Sequence, residues 1–107
     1  MDARTERIGR NEDLFRKVND QIEGVNVAFG TITGTVTILC ECGKLECIEQ
    51  IALTVDEYRE LRADPRRFAV QPGHELPDVE RVVERRDRHF VVEKTEGEAA
   101  RLAEDLA

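Results

Sequence analysis

All three cysteines of this chain fall within eight residues, Cys40-Glu41-Cys42-Gly43-Lys44-Leu45-Glu46-Cys47, and no other stretch limits the local fold as tightly. Cys40 and Cys42 are two apart, so in an extended strand both side chains leave the same face. Gly43 permits a reversal that can bring Cys47 back to the same point. Three converging thiolates are the preferred ligands of a soft divalent ion, and structural zinc takes four tetrahedral ligands, which leaves one position for a histidine. The chain has two histidines. His74 closes Gln71-Pro72-Gly73-His74, a turn signal that can aim a side chain at a fixed point. His89 opens the apolar run His89-Phe90-Val91-Val92, where a half-exposed strand position accounts for it. The preferred set is therefore Cys40, Cys42, Cys47 and His74, with structural Zn2+ as the expected cofactor. The spacing C-x-C-x4-C departs from the widely shared patterns that begin C-x2-C, so reduced structural cysteines and a disulfide or redox pair stay open beside it. Glu41 and Glu46 flank the thiols and oppose their ionisation, whereas a bound cation reverses that balance and Lys44 assists slightly.

The flanks fit a hairpin whose tip is this knuckle. Thr35 to Cys40 alternates, with Val36, Ile38 and Cys40 on one face, and Ile48 to Leu53 returns with Ile51 and Leu53 in phase with Cys47. Thr54-Val55-Asp56-Glu57 reads as a capping box opening a short helix, which Pro65 forbids from continuing. Arg59, Arg62, Arg66 and Arg67 cluster there, as a basic patch for the abundant acids. Phe68-Ala69-Val70 is a brief extended run. Val79 to Glu84 and His89 to Lys94 form a second hairpin with the basic loop 85–88. Thr95-Glu96-Gly97-Glu98 repeats the box signal before Ala99, Leu102, Ala103 and Leu106, which predict a terminal helix.

Upstream, residues 1–10 are polar and read as a disordered tail, leaving 11–107 as a single domain. Asn11 is a good cap for a helix carrying Phe15, Val18, Ile22 and Val25, with Gly24 in its last turn. This amphipathic helix, 12–25, packs on its own core or offers a face to a protein partner. The stretch Val27 to Gly34 fits either a connector or a short hairpin. Together these elements predict an α+β fold: a small antiparallel sheet of about four strands flanked by three helices and stapled by the Cys3His site.

Composition narrows the function. The chain has 107 residues, 5% aromatic with no tryptophan, so a metal crosslink would supplement a modest core. A net charge of −7 opposes general attraction to nucleic acid or an anionic membrane. No apolar run reaches the length of a membrane span or a signal-peptide core, and an odd cysteine count fits a reducing compartment, so a cytoplasmic location is expected.

At Arg10 to Asn19, Leu39 to Gly43, Leu53 to Tyr58, Arg62 to Phe68 and Pro72-Gly73-His74-Glu75, over roughly residues 10–94, the chain resembles small actinobacterial proteins of uncharacterised function. The resemblance implies that the cysteine cluster and the Pro-Gly-His turn belong to one domain. It transfers no activity.

The chain has no serine, and Gly30 and Gly34 do not fit a phosphate-binding loop. Four protein ligands leave no open metal position for water, so no catalysis is expected. The leading expectation is a small structural-zinc domain serving as an interaction or regulatory module. The alternatives are a thiol switch that releases zinc when Cys40 and Cys42 oxidise, and nucleic-acid binding through Arg62, Arg66, Arg67, Arg85, Arg86 and Arg88.

Overall fold

The computed structural model describes residues 3–28, with 25–28 as backbone only, and residues 34–107. Among them the elements run α1 (Ala3–Ala28), β1 (Thr35–Leu39), β2 (Gln50–Thr54), α2 (Val55–Arg62), β3 (Arg67–Val70), β4 (Glu80–Arg85), β5 (Phe90–Lys94) and α3 (Glu98–Leu106). The class is mixed α+β. The strands form two antiparallel sheets, β1-β2 and β3-β5-β4, instead of the one sheet of about four strands expected from the sequence.

The first hairpin follows its alternation. Val36 pairs with Leu53 and Ile38 with Ile51, and all four are buried on one face. Burying such side chains stabilises by roughly 1.5–3 kcal/mol each. They share the core with Tyr58 and Leu61 from α2 and with Phe68, Val70 and Val92 from the larger sheet. Among the described residues a single backbone rung, Glu41 N–H to Ala69 C=O at 2.8 Å, joins the two sheets. The ladder goes no further because the chain turns at Gly43 immediately beyond it.

The capping box of α2 is formed: Thr54 Oγ1 accepts from the Glu57 amide at 3.0 Å, and Glu57 Oε1 accepts from the Thr54 amide at 2.8 Å. The second box is not. The Thr95 hydroxyl donates to Val79 C=O instead, and α3 opens at Gly97, whose φ of +114° suits glycine, with no side-chain cap. Within α3, Ala100 and Ala103 are buried, while Ala99, Leu102 and Leu106 are half-buried.

α1 departs most from expectation. It begins at Ala3, so residues 3–10, read as a disordered tail, are helical over that range, and it runs past Gly24 to Ala28. The reason lies in its inward face, where Ile8 and Phe15 are buried together with Glu12, Asp13, Arg16 and Asn19. Arg16 donates to Pro65 C=O at 2.7 Å, to Ala103 C=O at 3.0 Å and to Asp13 at 2.9 Å, and its guanidinium lies 4.9 Å from the Phe68 ring centroid. Lys94 pairs with both Glu80 and Glu12 beneath the same helix. An apolar stripe cannot reveal a helix that docks through polar groups. Of the expected stripe, Phe15 is buried in the chain's own core, Val18 and Ile22 are half-buried, and the side chain of Val25 lies outside the described residues, as do residues 29–33 of the expected connector.

Candidate metal centre

Strand alternation decides which way each residue of the Cys-Glu-Cys segment points. β1 stays extended beyond Leu39, with the Cys40 amide donating to Glu49 C=O at 2.8 Å, so Cys40 and Cys42 share one side and Glu41 takes the other. The reversal then occurs at Gly43. Its φ is +83°, and a Cβ there would lie 3.0 Å from Ile8 Cγ2 and 3.3 Å from Glu12 Cγ, so α1 closes over a position that only glycine fills well. Asn11 Nδ2 secures the turn from above by donating to Gly43 C=O at 2.9 Å. Cys47 returns with its amide donating to Lys44 C=O at 3.0 Å.

His74 arrives from the larger sheet. β3 ends at Val70, and a tight turn with the His74 amide donating to Gln71 C=O at 2.9 Å and Gly73 at φ +93° presents the imidazole to the knuckle. The ligand atoms of Cys40, Cys42, Cys47 and His74 all lie within 4.8 Å of one another. His74 Nδ1 is 3.5 Å from Cys40 Sγ and 3.7 Å from Cys47 Sγ. Tetrahedral zinc, with bonds of about 2.3 Å to sulfur and about 2.05 Å to nitrogen, implies S···N edges of about 3.6 Å. The residues present therefore fit a four-ligand ion. His89 is elsewhere: it is buried beside Glu57 and Arg86 at the second hairpin, not half-exposed as the sequence suggested.

One sulfur also receives a backbone N–H: the Gln71 amide donates to Cys40 Sγ at 3.2 Å. The backbone at Lys44 and Glu49 acts in the same sense on Cys42 and Cys47. Such donors favour the thiolate form. With no cation, the thiols divide the charge unevenly. Cys40 is pushed up, first by hydrogen bonding to Cys42 and then by burial, while Cys42, accepting that bond, is held down at about 4. Cys47 is raised, chiefly by burial. A divalent ion removes this competition because all three sulfurs can then ionise together.

Glu41, read from the sequence only as a flanking charge, is fully buried and ties three elements together. Its carboxylate accepts from Asn19 Nδ2 at 2.8 Å, from the Ala69 amide at 3.0 Å and from the Arg62 guanidinium. Asn19 adds a pair of bonds to Leu39, accepting its N–H and donating to its C=O, each at 2.9 Å, as a strand neighbour would. One residue thus faces the thiol cluster's opposite side and fixes the strand that carries two of the sulfurs.

The arginine clusters are largely engaged. Arg62 pairs with Glu41, Arg66 with Glu104, Arg67 with Glu93, and Arg86 with Glu84 and Glu57. Arg85 lies 5.5 Å from the Phe90 ring centroid. No helix among the described residues is long and apolar enough to cross a membrane. Comparison with known proteins finds no matching family model, no similar curated protein and no similar solved structure.

Proposed function

We propose that Cys40, Cys42, Cys47 and His74 hold one zinc ion as a closed structural centre, and that the chain is a zinc-stapled α+β module acting through protein contacts. The observation that carries this reading is the donor set itself: three sulfurs and one imidazole nitrogen within 4.8 Å of one another, with His74 Nδ1 3.5 Å and 3.7 Å from two of the sulfurs and the Gln71 amide donating to Cys40. The ion would offset two of the three thiolate charges and crosslink the β1-β2 knuckle to the turn after β3. Four protein ligands leave no position for a reactive water, which favours a structural over a catalytic role.

The test is elemental analysis of untagged protein with thiol titration before and after a strong chelator. One zinc per chain, with thiols unreactive until chelation, is expected. The variants C40S and H74A should lose both metal and cooperative unfolding. Metal-free protein with three freely reactive thiols would overturn the assignment.

A further inference from the structure

Beside the knuckle, the start of α1 and the 42–46 loop enclose a groove of about 320 Å³ that reaches Cys42 and Gly43. Its apolar wall is Ile8, Leu45 and Leu76. Leu45 is 58% exposed and lies in a patch with Ile8 and Leu76, not singly on the surface. Cations stand around it. Arg4 and Arg7 lie one turn apart on α1, and Lys44 faces them from the loop, against one acid, Glu46.

The chain carries a net charge of −7, and most of its arginines are paired with carboxylates, yet neither Arg7 nor Lys44 makes an ion pair among the described residues. Arg4 pairs with Asp78, but both side chains are about half exposed. Such a surface bridge is worth at most about 1 kcal/mol and exchanges readily for another carboxylate. A filled Cys3His centre would retain one negative charge, which the Gln71 amide already faces.

We infer that this groove docks an acidic peptide segment of a partner protein, with one apolar side chain seated against Ile8, Leu45 and Leu76 and flanking carboxylates on Arg7, Lys44 and Arg4. The inference names the contact surface of the module proposed above and rests on that reading. A second copy of the chain is the poorer occupant, because two bodies of charge −7 repel. Local attraction survives the overall charge because screening confines each ion to roughly 8 Å at physiological ionic strength.

The experiment is selection from a displayed library of extended peptides on the zinc-loaded full chain, followed by titration of the winning synthetic peptides. Enriched sequences should place Asp or Glu on both sides of Leu, Ile or Phe, and affinity should fall as salt rises. R7E and K44E should each weaken binding about tenfold or more, and L45S similarly, in protein loaded to one zinc per chain, with R7E and L45S leaving that content unchanged. Peptides lacking acids, binding indifferent to K44E and L45S, or no enrichment would overturn the inference. So would light scattering showing that Leu45 mediates a dimer. A chain that holds zinc but binds no such peptide refutes the groove and spares the metal centre. A chain without zinc whose peptide binding still depends on Arg7 and Lys44 does the reverse.

Discussion

Replacing Glu41 by glutamine tests whether the strand bearing the sulfurs is held from behind. Glu41 is 0% exposed, and its partner Arg62 is 15% exposed, so neither charge can recover full hydration when the other is removed. Glutamine keeps the volume and one acceptor oxygen. It removes the buried negative charge opposite Arg62, leaving only the half-exposed Asp20 at 3.5 Å, and turns an N–H toward donors, whether the Ala69 amide, the Asn19 amide or the guanidinium. Breaking a buried pair from one side costs about 3–5 kcal/mol. For a chain this size that corresponds to a fall in Tm of about 12–25 °C. The assay is urea unfolding of zinc-loaded protein, with metal content checked so that the loss is not routed through the ion. E41Q/R62M removes both charges and should be markedly less destabilised than the sum of the two single variants, with a coupling of at least about 1.5 kcal/mol. A loss below about 1 kcal/mol for E41Q would refute the reasoning, because it would place the pair among solvated surface bridges.

Glu12 gives a pH signature. Burial pushes its carboxyl up to about 8, with attraction to Lys94 offsetting only part of that rise. The folded chain therefore keeps a proton that the unfolded chain releases near 4.5, so this group's contribution is fully present below about pH 4.5 and is lost as pH rises toward about 8. E12Q should flatten the decline relative to the parent in urea midpoints across that window; parallel curves would discount the effect. G43A forces a Cβ at φ +83° against Ile8 and should cost about 2–3 kcal/mol, with weaker zinc retention in a chelator competition. T54A removes half of the α2 capping box and should lower unfolding free energy by about 1 kcal/mol, leaving metal content the same as the parent's.

What the sequence revealed follows from periodicity. The β1-β2 hairpin, the shared face of Cys40 and Cys42, the reversal at Gly43 and the turn presenting His74 each depend on a period of two or a glycine requirement, both visible in the residues themselves. The α2 box was legible for the same reason, since Thr54 and Glu57 act within one turn. The second box was not, because Thr95 finds Val79, sixteen positions away, through a contact that no local pattern encodes. The extent of α1 was hidden because its buried positions include Glu12, Asp13, Arg16 and Asn19, residues that by hydropathy belong outside. Glu12 and Asp13 look like companions of the helix dipole until Lys94 and Arg16 are seen beside them. Glu41 was similarly opaque: alternation says it faces away from the sulfurs, but only tertiary packing supplies Asn19 and Arg62 to meet it. Likewise the division into two sheets depends on the chain turning aside at Gly43 after a single rung, a choice made by the knuckle and not by strand propensity.

The polar underside of α1 bears on how the molecule responds to temperature. With those it meets and others elsewhere, eight polar or charged residues are buried among the described residues, in interior space that aliphatic side chains would otherwise fill. On unfolding, newly wetted apolar surface raises heat capacity and newly wetted polar surface lowers it. Calorimetry should thus return a heat-capacity increment below the usual range of about 12–15 cal/mol/K per residue. A smaller increment means a stability curve with less curvature, so the fold would weaken gradually on both warming and cooling from its optimum.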